Sequence, residues 1–225
     1  MKSGDTRPVV IFGNLRSAAL ARYCLTHDTA LRVEAFTVDA AYAKAAEHEG
    51  LPLVAFEELE SRYKPEDCQL LIPMGYQGIN GVRRARYERA KARGYSFANY
   101  VSSRASVWPD LVVGENVLIY EHAILQPFCR IGSNCIIRSG ALVSHHCAVA
   151  DHAFVAAEAV MGGGTSVGEQ AFVGLAAVLR DGIRVAPRSF IGAGAVIVAD
   201  TECDGAYVGN PARRLGKTAL EMCTE

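Results

Sequence analysis

A register of six residues, unbroken from residue 101 to residue 197, limits what this chain can become. Stepping by six from Val101 gives Val107, Val113, Ile119, Leu125, Ile131, Ile137, Val143, Val149, Val155, Met161, Val167, Val173, Leu179, Val185, Ile191 and Ile197. All seventeen are aliphatic or Met, and fourteen are Val or Ile, which suit strands. The fifth position of each hexad is mostly small, as at Ala105, Ala123, Cys129, Cys135, Ala141, Cys147 and Ala153. Glycine often follows the aliphatic residue, as at Gly114, Gly132 and Gly168. A period of six fits neither a helix nor an alternating strand. It fits a short strand, a tight corner and the next short strand. Three hexads then close one triangular coil, so that residues 18 apart stack and the seventeen hexads make between five and six coils. The pattern predicts a parallel β-helix with the aliphatic residue inside and the small residue giving room at the corner. Cys129, Cys135 and Cys147 take the small position and are expected to pack, not to react.

Residues 8–100 show no hexads. The segments 8–14 and 31–39 read as strands, the first ending in a Gly turn and the second in Asp39. Residues 17–28 read as a helix, 40–50 as a helix stopped by Gly50, 69–76 as a strand and 81–95 as a basic helix. Strands alternating with helices predict a small parallel α/β sheet. Such sheets bind ligands at the carboxyl ends of their strands. Three loops fall there: Gly13, Asn14, Arg16 and Ser17 in the first, Asp39 in the second, and Gly75 with Tyr76 in the third. "GNLRSAA" (13–19) is not GxGxxG, so no dinucleotide fingerprint is present. A glycine turn before a helix N-terminus suits one phosphate or diphosphate, with Arg16 as its partner. The plainer reading makes Asn14 and Ser17 caps of the following helix. The arginines within 83–87 are expected as a solvated helix face.

The expected divisions are a domain over 1–100, a β-helix over 101–208 and a tail over 209–225. A formal net charge of −1 with no long basic run argues against nucleic acid as a partner. No apolar run reaches the length of a membrane span, and "MKSGDTRPVVIFG" lacks the apolar core of a secretion signal. Seven cysteines without a CxxC pair argue against a disulfide framework. A cytoplasmic location follows as the expectation.

"VSHHCAVADH" (143–152) concentrates three of the six histidines. His145 and His146 are third and fourth in the hexad of Val143, at a corner and facing outward. One coil on lie Gly163 and Gly164, which leave space beside a histidine or simply tighten a corner. His152 falls on a different corner, where a ligand-binding and a structural role are equally open. Histidine, with an unperturbed pKa near 6.5, suits proton removal from an attacking amine or hydroxyl.

A small Rossmann-like domain joined to hexads resembles the bacterial nucleotide-sugar acetyltransferases, hexapeptide-repeat enzymes with a left-handed β-helix. That group includes the bacillosamine and perosamine N-acetyltransferases and the sialic-acid O-acetyltransferases. "PMGYQ" (73–77), "QPF" (126–128), "HHC" (145–147) and "DHAF" (151–154) look like the branch acting on 4-amino-4,6-dideoxyhexoses of surface polysaccharide synthesis. "YVGNPARRLG" (207–216) looks like the segment after the last coil in acetyl-CoA-dependent members. The resemblance implies a homotrimer with acetyl-CoA between neighbouring β-helices and no metal. It implies cofactor contacts from His152, Gly163, Gly164, Gly209, Pro211 and Arg213. It also implies that the N-terminal domain holds the nucleotide sugar and that His145 is the general base. Family members often carry an acidic residue next to this histidine; here His146 stands there, and Asp151 is the alternative acid.

Two other classes are carried. A trimeric β-helix can hold zinc on histidines from two subunits, and His122, His145, His146 and His152 are the candidates. A solenoid can also serve as a non-catalytic scaffold. Within the enzymes, sugar O-acetylation competes with N-acetylation, since the same histidine serves both.

Overall fold

A computed structural model describes residues 5–223, so the first four and last two residues of the expected divisions lie outside it. The chain forms two compact units. One holds the residues up to Gly75 together with Ala85–Asn99, and the other holds Tyr76–Arg84 and the chain from Tyr100 on. The division expected at residue 100 is therefore crossed by one segment, 76–84, that belongs with the coils.

In the first unit, β1 (Val9–Phe12) is flanked by β2 (Val33–Val38) and β5 (Gln69–Leu71), all parallel. The sheet order is β3-β4-β2-β1-β5-β6, with β3 at Glu47–His48, β4 at Leu51–Ala55 and β6 at Ser96–Phe97. β1 is apolar and buried along its whole length, as a strand covered on both faces must be. Helix α1 (Arg16–Asp28) buries Ala18, Ala21 and Leu25. Helix α2 runs over Gly81–Ala92.

The expected helix over 40–50 does not form. Ala40–Tyr42 makes one 3-10 turn, and Glu47–His48 pairs antiparallel with β4. Glu49 and Gly50 both have positive φ (51° and 73°), the geometry of a tight hairpin turn. Gly50 thus turns a hairpin and does not cap a helix.

The second unit is a parallel β-helix. Two-residue strands stack in three walls, and each strand pairs with the one 18 residues on, as Leu118 does with Ile136 and Leu142 with Val160. From Ile119 on, the aliphatic residues of the register fill one continuous core with the small fifth residues between them; Val101 and Val113 pack on it partly buried, and Val107, expected inside, is exposed at the end of the stack. Full burial of each Val, Leu or Ile contributes roughly 1.5–3 kcal/mol. Cys129, Cys135 and Cys147 do pack there, and they also donate S–H bonds to corner carbonyls: Ser144 at 3.0 Å, Ala150 at 3.1 Å and Gly162 at 3.1 Å. Burial pushes the Cys135 thiol to about 12 and that of Cys147 to about 11, so neither is a nucleophile at neutral pH. The segment expected as a tail does not hang free. Gly205–Val208 joins one wall in parallel, and Arg213–Thr218 returns beside it antiparallel.

Each coil corner has a feature the aliphatic register does not announce. From Asn116 to Gly194 the fourth residue of the hexad is left-handed: φ is 53° at Asn116, 60° at His122, 67° at Phe128, 56° at Asn134, 59° at His146 and 64° at His152. Asn, Asp and His are the side chains that accept this backbone most readily after glycine.

Candidate active site

The coil register sorts the histidines. His122, His146 and His152 occupy left-handed corners between different pairs of walls. Among the described residues no group of three or more His, Cys, Asp or Glu is gathered as for a metal ion.

His145 and His146 are both exposed. Their Nδ1 atoms lie 3.2 Å apart, with the rings nearly perpendicular at 85°. The His146 ring packs on Phe128 of the preceding coil, centroids 4.6 Å apart, and the backbone N–H of His146 is donated to Pro127 O. The His145 N–H is donated to Gln126 Oε1 at 2.9 Å. Its ring lies over Gly163, where a Cβ would stand 2.5 Å from Cε1 and 2.7 Å from Nε2. Glycine at 163 is thus needed for the ring to lie where it does. At Gly164 the need is different: φ is 69°, the corner conformation itself. The Gly163 N–H is donated to Asp181 Oδ1. Gln126 and Phe128 belong to the "QPF" motif of the sequence, while Asp181 was not singled out there, although the 18-residue register puts it on this corner. Asp151, the alternative acid, accepts from Ser133 N. Among the described residues no carboxylate is hydrogen-bonded to either ring of the pair.

His152 is buried, 6 % exposed. Asn116 Nδ2 donates to Asn134 Oδ1 at 2.7 Å, and Asn134 Nδ2 contacts His152 Nδ1 at 2.8 Å. The asparagine amide can only donate there, so His152 accepts at Nδ1 and is neutral. Burial first, then the charge of Arg84, holds its pKa below 6.5. The unfolded chain therefore binds a proton that the folded chain refuses. The stability this residue contributes is present above pH 6.5 and is lost as pH falls through that value. His152→Asn keeps an acceptor for Asn134 and suits the corner. It should flatten the fall in melting temperature between neutral and mildly acidic pH, and equal slopes for variant and parent would refute this.

The segment 76–84 is fixed to the coils by a buried cation. The side chain of Arg83, expected on a solvated face, is fully buried. Its Nη2 donates to His152 O at 2.6 Å, its Nε to Asn134 O at 3.3 Å and its Nη1 to Asn80 Oδ1 at 2.9 Å. Burial lowers its pKa to about 10, so it stays charged at neutral pH. Asn80 Nδ2 in turn donates to Gln170 O at 2.9 Å, and Arg84 pairs with Glu169 at 2.7 Å. A solvated face is therefore the wrong description of Arg83, which carbonyls at the coil corners draw in, while Arg84 and Arg86 are paired with Glu169 and Asp39. Tyr76 stacks on Phe172, 4.2 Å between centroids, at the end of a run continued by Phe154 and Phe190.

In the first unit, Gly13 follows β1 and Asp39 follows β2, while Gly75 ends the loop after β5. β1 lies between β2 and β5, so the strand order changes direction beside Gly13, the usual ligand position in such sheets. Gly13 has φ 129°, open to glycine and hardly to other residues. Helix α1 starts at Leu15 without a side-chain cap, so neither Asn14 nor Ser17 caps it. Arg16 is exposed. Asp39 accepts from Arg86 Nη2 at 2.7 Å and from Arg89 Nη2. Burial would raise its pKa, but the bonds from Arg89 and Arg86 outweigh it and hold the carboxylate ionised. Gly209, Pro211 and Arg213 are exposed around the C-terminal hairpin, and the Asn210–Pro211 peptide is cis.

Triangular coils with a histidine over an open glycine corner define a class, the hexapeptide-repeat acyltransferase fold. Residues 110–145 match the family model described as bacterial transferase hexapeptide (six repeats). Solved structures share the whole architecture. PerB from Caulobacter crescentus, solved with CoA and GDP-perosamine, is 27% identical with a TM-score of 0.82, over 93% of this chain and 97% of that one. The acetyltransferase domain of PglB from Neisseria gonorrhoeae FA1090 is 24% identical with a TM-score of 0.83, over 93% of this chain and 100% of that one. WeeI from Acinetobacter baumannii AYE is 17% identical with a TM-score of 0.59, over 93% and 100%. Curated protein sequences gave no match. By repeat and by fold the chain is a left-handed β-helix of hexapeptide repeats, the fold of these acetyltransferase structures.

Proposed function

We propose that the protein is an acetyl-CoA-dependent N-acetyltransferase acting on the amino group of a nucleotide-linked 4-amino-4,6-dideoxyhexose, with His145 as general base. The observation that carries this reading is the exposed His145 ring seated over Gly163, in space that only glycine leaves. It sits on a fold shared with an enzyme solved with CoA and GDP-perosamine. The amine attacks the thioester carbon, its proton passes to His145 Nε2, and the C–S bond breaks as the C–N bond is completed. The proton then leaves with the CoA thiol. Holding both substrates at one corner makes an acyl-enzyme unnecessary.

The loops after β1, β2 and β5 are assigned to the nucleotide sugar, through Gly13, Asn14, Arg16, Ser17, Asp39 and Gly75, with Tyr76 on the sugar side. Acetyl-CoA is assigned to the coils, with Gly163, Gly164, Gly209, Pro211 and Arg213 as contacts. A groove along one wall, lined by Gly132, Ala150, Gly168 and Ala186, is assigned to its pantetheine arm. His152, neutral and buried, supports the corner from within and does not touch the cofactor in this reading. The working assembly is a homotrimer in the cytoplasm, where acetyl-CoA is supplied; no helix among the described residues is long and apolar enough to cross a membrane. The test is a panel of TDP-, UDP- and GDP-linked 4-amino sugars with acetyl-CoA, followed by thiol release. One member should turn over to an amide stable to hydroxylamine. A hydroxylamine-labile ester would move the reading to O-acetylation, and no turnover with any member would end it.

A further inference from the structure

We propose that His146 is a positioning residue whose neutral imidazole accepts the Nδ1 proton of His145 and so keeps Nε2 of His145 free of a proton. This rests on His145 being the base, as read above. Two nitrogens 3.2 Å apart share one proton, and two arrangements exist. If His146 donated, neutral His145 would carry its proton on Nε2 and could not take another there. The surroundings are unequal. The His146 ring is packed on Phe128 and its backbone is held in the corner ladder. His145 lays its Cε1–Nε2 edge in the space a Cβ on Gly163 would take, in a side chain that is exposed. Only the arrangement with His146 as acceptor leaves a lone pair on His145 Nε2.

The neighbouring carboxylates do not fill this role. Asp110 accepts from Phe128 N at 2.7 Å, and Asp181 accepts from Gly163 N at 2.7 Å. The other charged groups on the adjacent coils of this corner are Arg130 and Arg180, both cations. A neutral acceptor fixes the tautomer as a carboxylate would, but it adds no negative charge to stabilise the imidazolium. A carboxylate at position 146 would supply that charge, so the pH dependence of catalysis distinguishes the two kinds of acceptor.

The experiment uses the full chain with nitrogen-15-labelled histidine, read by NMR above neutral pH, and pH profiles of kcat/KM. Parent His145 should appear as the Nδ1–H tautomer, and His146→Ala should move it toward the Nε2–H form. That variant should lose roughly 10–100-fold in kcat with KM little changed. His146→Asn, which offers an amide oxygen at the same corner, should restore the tautomer and most of the rate. His146→Asp should move the acidic limb upward by roughly 1–3 pH units. Finding parent His145 in the Nε2–H tautomer overturns the proposal, and so does an unmoved limb in His146→Asp. Neither result depends on what His145→Ala does. Full turnover by that variant would instead remove the base reading itself.

Discussion

Replacing His145 with alanine is expected to lower kcat by roughly 10²–10⁴-fold, the usual contribution of a general base. That equals about 3–5 kcal/mol of barrier. The side chain is exposed, so the fold and the melting temperature should hardly change. Affinity for acetyl-CoA should also persist, since the ring is assigned to proton transfer and not to holding the cofactor. Gly163→Ala gives an independent reading of the same geometry. The new Cβ would stand 2.5 Å from His145 Cε1, so the ring must swing away while the coil remains. A variant that keeps its melting temperature yet turns over slowly fits this account. Near-parental turnover by His145→Ala would remove it.

The second large effect concerns stability. Arg83→Ala should cost about 3–5 kcal/mol, from buried carbonyls losing a charged donor and from the cavity left behind. The carbonyls of Asn134 and His152 lose this donor, and Asn80 Oδ1 loses a partner that steadies its own bonds to Gln170. Urea unfolding reads the loss directly. Arg83→Met, which restores volume without hydrogen bonds, should recover only part of it. Full recovery by methionine would mean that packing alone, not the carbonyl clamp, holds the segment.

The coils were legible because one rule, an aliphatic residue every sixth position, needs no tertiary information. Even the weak ends of the register, Val101 and Val107, lie on their expected strands. β1, α1 and β2 were legible for the same local reason. Arg83 was not, because helical periodicity treats a charge as a solvated face, and only the carbonyls of a distant corner reverse that. Residues 40–50 failed similarly: alanines favour a helix, while pairing with Leu51–Ala55 favours a hairpin. Within the site, the sequence brought His145, Gly163 and Gly164 to one corner. It could not show that Gln126 holds the backbone of His145, or that the nearest acids are already engaged. One signal was available and went unread. Asn116, His122, Asn134, His146 and His152 all fall at the fourth position, and that choice of side chains marks a left-handed backbone.

That backbone also limits how this enzyme's lineage can vary. Position 146 will accept glycine, asparagine, aspartate or histidine far more readily than any branched side chain. The codons for asparagine, aspartate and histidine differ from one another only in their first base. A single nucleotide change can therefore exchange the imidazole beside His145 for an amide or a carboxylate, with the main chain undisturbed.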